Sequence, residues 1–136
     1  MNLSYYTRKL LIVFAILALF TGTVEYPVEA ADSSPVTVTI KLGDYRFSPD
    51  RIKVVAGQPV RLVLTNTDGI TPHNFTLKDP AGGLDLNVDV AAGKTREIEF
   101  VPQTPGSYPF FCNKKVVFLK SHRDRGMKGT LTVTAP

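Results

Sequence analysis

The sequence predicts an all-β protein, an antiparallel Greek-key β-sandwich of seven to eight short strands. Short runs of the chain alternate apolar and polar residues and are rich in β-branched side chains, which is typical of strands with one buried face. Glycines and prolines stand between these runs rather than inside them, apart from Pro109. No run beyond residue 30 shows a helical period, and this spacing of short strands and turns favours a sandwich.

The first half of the domain contains four predicted strands. "VTVTIKL" at 36–42 alternates cleanly, and "RIKVV" at 51–55 and "PVRLVLTN" at 59–66 follow it on either side of Gly57. A short strand, "HNFTL" at 73–77, comes after the polar loop "TNTDGITP".

The second half contains four more predicted strands. "LDLNVDV" at 84–90 and "TREIEFV" at 95–101 alternate with a period of two around a turn at 91–94. "GSYPFF" at 106–111 leads directly into the single cysteine, and "GTLTVTA" at 129–135 closes the chain. The sequence contains no internal repeat and no low-complexity tract that would indicate a different architecture.

The first thirty residues resemble an export signal. Arg8 and Lys9 precede an apolar run of eleven residues at 10–20, and "VEA" at 28–30 supplies small residues for a signal peptidase. A membrane-spanning helix needs about twenty apolar residues, so this run is too short for a stable span. We therefore predict a signal peptide at 1–30 and keep an uncleaved anchor as the alternative.

The remaining residues, 31–136, are long enough for one domain with its own core. We expect this domain to be monomeric and to work outside the cytoplasm, in the periplasm if the cell has one. The net charge of the full chain is +4, a mild excess that is compatible with acidic partners. The sequence shows no stacking or phosphate-binding motif, so we expect no nucleic-acid binding.

Four residues of rare types mark the candidate site. The chain contains one cysteine, Cys112, two histidines, His73 and His122, and one methionine besides the initiator, Met127. All four fall at predicted strand ends or in loops, which a sandwich can bring together at one pole. Taken singly, each has a structural alternative, because lone cysteines and methionines usually fill cores and lone histidines usually form hydrogen bonds.

Taken together, the four residue types suit a particular metal. Two imidazoles and a thiolate in a plane, with a weak axial thioether, are typical of mononuclear copper sites that exchange electrons. A single cysteine cannot form a disulfide within the chain, and an exported thiol needs protection by burial or by a metal.

Several motifs also resemble those of the cupredoxins, the small blue copper proteins. "FSPDRIKVVAGQPVRLVLTNTD" is similar to the opening strands of that family, "HNF" to its first histidine motif, "GSYPFFC" to its cysteine strand, and "HRDRGMKGTLTV" to its second histidine, its methionine and its last strand. The resemblance implies one type 1 copper ion and single-electron transport without enzymatic activity. It also implies His73, Cys112 and His122 as strong ligands, Met127 as axial ligand, and Asn74 as a link between the ligand loops.

One departure from the family pattern is the segment between Cys112 and His122. Nine residues, "NKKVVFLKS", stand where the family usually has fewer. Each doubling of a loop costs only about 0.6 kcal/mol in closure entropy, whereas tight metal sites contribute on the order of 10 kcal/mol. We therefore expect that the longer loop still allows Cys112 and His122 to bind the same ion.

Other uses of these residues fit the sequence less well. Structural zinc sites normally use more cysteines or finger spacings, and dinuclear or multicopper centres need further cysteines or histidines. A cysteine hydrolase would need an orienting partner for a Cys–His pair, and the thiol here does not begin a helix. Copper delivery without electron transfer is the more serious alternative, although such carriers favour exposed, Met-rich clusters.

The long loop has a second feature, a concentration of positive charge around the apolar run at 116–119. One interpretation is a docking surface for an acidic redox protein, such as a cytochrome or an oxidoreductase. The alternative is an ordinary solvated face whose apolar edge packs onto the sandwich. The candidate docking residues are Lys114, Lys115, Lys120, Arg123 and Arg125.

Overall fold

The computed structural model describes residues 34–79 and 82–136. Within these ranges the chain forms nine strands in two sheets, so the predicted all-β sandwich is confirmed. The predicted signal peptide at 1–30 lies outside the described residues. The part that is described contains no helix long and apolar enough to cross a membrane. The strands are β1 (Val36–Gly43), β2 (Arg46–Ser48), β3 (Arg51–Val55), β4 (Val60–Asn66), β5 (His73–Asp79), β6 (Leu84–Val90), β7 (Thr95–Phe100), β8 (Gly106–Phe111) and β9 (Lys128–Thr134).

The two sheets differ in size and enclose one core. The first has four strands in the order β2-β1-β4-β7, and the second has five in the order β3-β9-β8-β5-β6. β4 alternates as the sequence predicts, with Val60, Leu62 and Leu64 buried and the residues between them half-buried. From the second sheet, Phe75 and Phe110 stack in the core with 4.8 Å between ring centroids. Such aromatic pairs add about 0.5–1.5 kcal/mol to the effect of burial.

Strand pairing is mostly antiparallel, as predicted, but two pairs are parallel. β1 runs parallel to β4, and β3 runs parallel to β9. The chain leaves the first sheet after β2, forms β3 in the second sheet and returns as β4 beside β1. The alternation of apolar residues shows which side of a strand is buried, but it does not specify the direction of the neighbouring strand.

The short strand β2 was not predicted. It pairs with β1 through a two-residue turn, Asp44 and Tyr45, whose φ angles are 50° and 57°. Positive φ at both central positions is the geometry of a type I′ hairpin turn, which usually contains Asn-Gly or Asp-Gly. Asp-Tyr lacks the glycine that makes this turn recognisable, so the sequence contains no clear hairpin signal here.

Candidate metal centre

The predicted metal-binding residues lie at one end of the sandwich. His73 is the first residue of β5, and Cys112 directly follows β8. Because β5 and β8 are antiparallel neighbours, the start of the first lies beside the end of the second. β9 pairs antiparallel with β8, so Met127, which directly precedes β9, lies at the same end. His122 lies in the segment between Cys112 and Met127.

Strand periodicity explains the orientation of His73 and its neighbour. β5 is flanked by β6 and β8, and its first five residues are all buried. His73 shares a face with Phe75 and Leu77, the face that contributes to the core, whereas Asn74 and Thr76 belong to the opposite face. This one-residue offset therefore directs an imidazole toward the interior and an amide toward the outer side of the same strand.

Three donor atoms converge at this end. The Nδ1 atoms of His73 and His122 lie 3.1 Å apart. The Sγ atom of Cys112 lies 3.4 Å from Nδ1 of His122 and 4.0 Å from Nδ1 of His73. All three side chains are buried, and their donor atoms form a group that could hold a metal ion.

These separations are compatible with a shared ion. Two donors that are each about 2 Å from a metal stand roughly 3 to 4 Å apart, depending on the angle between them. Two imidazole nitrogens and one sulfur, with a buried methionine beside them, fit one mononuclear type 1 copper ion.

Backbone hydrogen bonds fix the segment that contains Met127. The N–H of Met127 donates to the carbonyl of His122 at 3.0 Å, and the carbonyl of Met127 accepts from the N–H of Cys112, also at 3.0 Å. The N–H of His122 donates to the carbonyl of Lys114 at 2.9 Å, which closes the long loop on itself. The Met127 side chain is fully buried.

Asn74 connects β5 to the segment after Cys112. Its backbone N–H points at Cys112 Sγ, with 3.4 Å between the nitrogen and the sulfur. Its side-chain Nδ2 donates to the Asn113 side chain at 2.7 Å, and its Oδ1 accepts from the Asn113 backbone N–H at 2.9 Å. A further bond from Nδ2 to Asn87, at 2.8 Å, extends the link to β6.

Asp68 and Tyr45 also contact the imidazoles, and neither is among the site residues predicted from the sequence. An oxygen of Asp68 lies 2.8 Å from Nε2 of His73. The Tyr45 ring packs edge-on against His122, with centroids 4.9 Å apart, and against His73 at 6.0 Å. The position of Asp68 in the polar loop before His73 was a weak signal, whereas Tyr45 lies in the hairpin turn that was not recognised.

Burial shifts the pKa values of Cys112 and His122 in opposite directions. It raises the pKa of the Cys112 thiol above its usual 9.0, although the N–H groups of Asn74 and Lys114 oppose the shift. Burial, followed by the charge of His73, lowers the pKa of His122 below 6.5. His122 is therefore neutral at pH 7, as a ligand must be, and the thiol must lose its proton to bind a metal.

The loop beside the donors exposes an apolar surface. Residues 116–119, here called the apolar tip, have exposed fractions of 58% for Val116, 72% for Val117, 100% for Phe118 and 50% for Leu119. Ile70, in the loop before His73, is 92% exposed. Val117 and Phe118 are therefore not packed onto the sandwich, whereas Val116 and Leu119 are about half exposed.

The basic residues around the tip have different contacts. Lys114 forms an ion pair with Asp89, with 2.7 Å between nitrogen and oxygen. The guanidinium of Arg123 lies 4.4 Å from the centroid of the Phe111 ring, and that of Arg125 lies 4.4 Å from the Tyr45 ring. Lys115 and Lys120 are exposed on either side of the apolar tip.

Comparisons with known proteins agree with this architecture. The model of the cupredoxin-like domain matches residues 9–133. A plastocyanin of Dryopteris crassirhizoma is 33% identical in an alignment of 110 positions that covers 72% of this chain and 97% of that protein. A plastocyanin of Prochlorothrix hollandica is 30% identical in an alignment of 131 positions that covers 89% of each chain. A solved auracyanin of Roseiflexus castenholzii has a similar fold, with a TM-score of 0.60 and 20% identity over 74% of this chain and 98% of that one.

Proposed function

The chain belongs to the cupredoxin-like family, and from this we propose that it binds one type 1 copper ion and carries single electrons between redox proteins. The observation that supports this most directly is the convergence of His73 Nδ1, His122 Nδ1 and Cys112 Sγ in a buried site. The similarity to plastocyanins over most of the chain supports the same function.

Each donor has a proposed role. His73, Cys112 and His122 would be the strong ligands of the ion, and Met127 would be its weak fourth ligand. Bound copper supplies a one-electron couple between Cu(I) and Cu(II). β5, β8 and the backbone bonds around Met127 restrict the movement of the four side chains, so the ligands would move little when the ion changes oxidation state.

Asn74 is the proposed link between the two ligand-bearing elements. Its side chain joins the start of β5 to the residue after Cys112, and its backbone N–H donates toward the sulfur. A hydrogen bond to a thiolate withdraws electron density from the sulfur. Asn74 therefore stabilises both the spacing of the ligands and the charge on Cys112.

The proposed route for the electron leads through His122. This residue lines a groove of about 300 Å³, whose walls include Ile70, Lys115 and Val116. A partner that covers the groove and the apolar tip would bury apolar surface next to a copper ligand. Positive charge around the contact would favour an acidic partner and act mainly on the association rate.

We also propose that residues 1–30 direct export and that residues 31–136 act outside the cytoplasm as a monomer. The basic start, the short apolar run and the small residues at 28–30 support this. We propose that the domain has no catalytic activity, since the thiol and both imidazoles of the site would serve as copper ligands. Copper delivery is less favoured, because all four proposed ligands are buried rather than presented for exchange.

Copper loading of the purified protein tests the proposal. An intense visible absorption band, a Cu(II) paramagnetic resonance spectrum with narrow hyperfine splitting and a reversible one-electron wave are expected. A colourless site that exchanges copper rapidly with a chelator would instead indicate a delivery protein. Uptake of zinc with no affinity for copper would contradict both functions.

A further inference from the structure

The loop between β4 and β5 brings a carboxylate to the outer nitrogen of a proposed ligand. Nε2 of His73 lies 2.8 Å from Oδ2 of Asp68. The imidazole is fully buried, and the Asp68 side chain is only 18% exposed. An ionised carboxylate only accepts hydrogen bonds, so the proton of this pair lies on Nε2. Nδ1, which faces the centre of the site, then has a free lone pair.

Other contacts hold Asp68 in this position. Its Oδ1 accepts from the backbone N–H of Asp44 at 3.1 Å, which leaves Oδ2 for His73. Its own N–H donates to the side chain of Asn66 at 3.0 Å. The Asn66 amide in turn donates to the carbonyls of Thr71 and Val90, at 2.9 and 3.0 Å. The carboxylate is thus fixed by the hairpin turn and by the loop itself, independently of its contact with His73.

We infer that Asp68 is a positioning residue for the metal site. It selects the His73 tautomer that offers Nδ1 to copper, and its negative charge favours Cu(II) over Cu(I). Carboxylates that accept from the outer nitrogen of a ligating histidine orient the ring and raise its basicity. This inference rests on the proposed function for its effect on copper, whereas its effect on the tautomer concerns the protein alone.

Charge and geometry both support the effect on the copper couple. Cu(II) has one more positive charge than Cu(I), so a fixed anion nearby stabilises the oxidised state more. Solvent screens partly buried charges much less than exposed ones. Asp68 therefore lowers the reduction potential. Asp89, paired with Lys114, and the exposed Asp85, paired with Lys78, have their charges compensated by lysine neighbours.

The first test measures the His73 tautomer in copper-free protein by ¹⁵N nuclear magnetic resonance of the ring nitrogens. The parent protein should show a protonated Nε2 and an unprotonated Nδ1 at neutral pH. Asp68→Ala should show a mixture of both tautomers, because no carboxylate selects one. Retention of the parent tautomer in Asp68→Ala would overturn the tautomer role.

The second test measures the reduction potential of copper-loaded Asp68→Asn. The amide removes the charge and has one acceptor oxygen where the carboxylate uses two. Relative affinity for Cu(II) over Cu(I) should fall about tenfold, which raises the potential of this one-electron couple by about 59 mV. Asp85→Asn is the matched control, since it removes an exposed carboxylate near the opposite end of the β5–β6 pair.

The two experiments separate the inference from the proposed function. A potential in Asp68→Asn equal to that of Asp85→Asn would overturn the charge effect. A parent protein without a blue copper site would contradict the proposed function, and the tautomer measurement would still decide the role of Asp68. If Asp68→Ala does not fold, Asp68→Asn provides both measurements, with a tautomer shift expected because its NH₂ group can face Nε2.

Discussion

The backbone N–H of Asn74 points at the Sγ atom of Cys112, with 3.4 Å between nitrogen and sulfur. Because the donor belongs to the backbone, this contact depends on the pairing of β5 and β8 and not on the identity of the Asn74 side chain. The pairing of the two strands therefore contributes to the position of the sulfur.

Replacement of Cys112 by serine should abolish the intense visible band, because that band arises from charge transfer between a thiolate and Cu(II). The fold should survive, since serine is slightly smaller and the N–H of Asn74 remains as a hydrogen-bond donor. We expect a loss of about 1–3 kcal/mol in the unfolding free energy of the copper-free protein. Visible spectra and urea titrations measure the two effects. If Cys112→Ser keeps the visible band, Cys112 is not a copper ligand.

Replacement of Met127 by leucine should preserve copper binding and raise the reduction potential, because a weak donor to Cu(II) is lost. Met127→Gln should lower the potential. Leucine is close to methionine in volume, so the cost in stability should stay below about 1.5 kcal/mol. Voltammetry measures the potentials, with Leu131→Met as a control swap in the core. An unchanged potential in both Met127 variants would mean that the thioether is not a ligand.

Replacement of Asn74 by alanine should destabilise the copper-free protein by roughly 2 kcal/mol, because the amide bonds to Asn113 and Asn87 are lost. The blue spectrum should persist, since no donor is removed. A double-mutant cycle with Asn113→Ala should give a coupling free energy of about 0.5–3 kcal/mol. Asn113→Ala removes the bond to the Asn113 side chain but keeps the one from its backbone N–H. Strictly additive losses would therefore show that the side-chain bond between Asn74 and Asn113 does not stabilise the fold.

The stability of the copper-free protein should depend on pH through His122 and Cys112. The pKa of His122 is lower in the folded protein than its usual 6.5. As pH falls through 6.5, the unfolded chain binds a proton that folded His122 does not, so stability present above that pH is lost. The pKa of Cys112 is raised above 9.0, so its contribution is present below pH 9 and is lost as pH rises further.

Copper binding should make the melting temperature depend more strongly on pH. The ion binds the native state, so it should raise the melting temperature at neutral pH. Protons compete for the same ligand atoms, so the difference between loaded and copper-free protein should shrink in acid. Calorimetry at several pH values measures both trends. Equal melting temperatures with and without copper at pH 7 would contradict a specific site.

The proposed docking surface should affect the rate of electron transfer. Lys115→Gln with Lys120→Gln should slow transfer to the native partner at low salt without changing the copper spectrum, because neither lysine is a proposed ligand. Lys53→Glu on β3 is the matched control, since it lowers the net charge by the same amount elsewhere. The difference should shrink as salt reduces the Debye length to about 8 Å and below.

Stopped-flow measurements over a range of salt concentrations test this prediction. We choose Lys120 rather than Lys114 because Asp89 already compensates the charge of Lys114. Phe118→Ser should slow transfer at all salt concentrations, since it removes apolar contact area rather than charge. Equal electron-transfer rates in the double variant and the parent at low salt would show that Lys115 and Lys120 are ordinary solvated residues with no role in docking.

The sequence by itself determined eight of the nine strands and supplied the set of proposed ligands. In runs such as β4 and β6, apolar and polar residues alternate because one face of the strand is buried. This pattern can be recognised in a single strand, without knowing which strand lies beside it. The donors were recognisable because Cys112 and the two histidines are rare in this chain and fall at strand ends.

Only the tertiary structure decided which other groups touch those donors. Asp68 reaches His73 because the β4–β5 loop folds back, and Tyr45 reaches His122 because the β1–β2 turn adopts positive φ at two residues without a glycine. The sequence likewise did not specify the parallel pairing of β1 with β4 or the exposure of Phe118. Each depends on contacts between segments distant in sequence, whereas periodicity records only the local balance of burial along one strand.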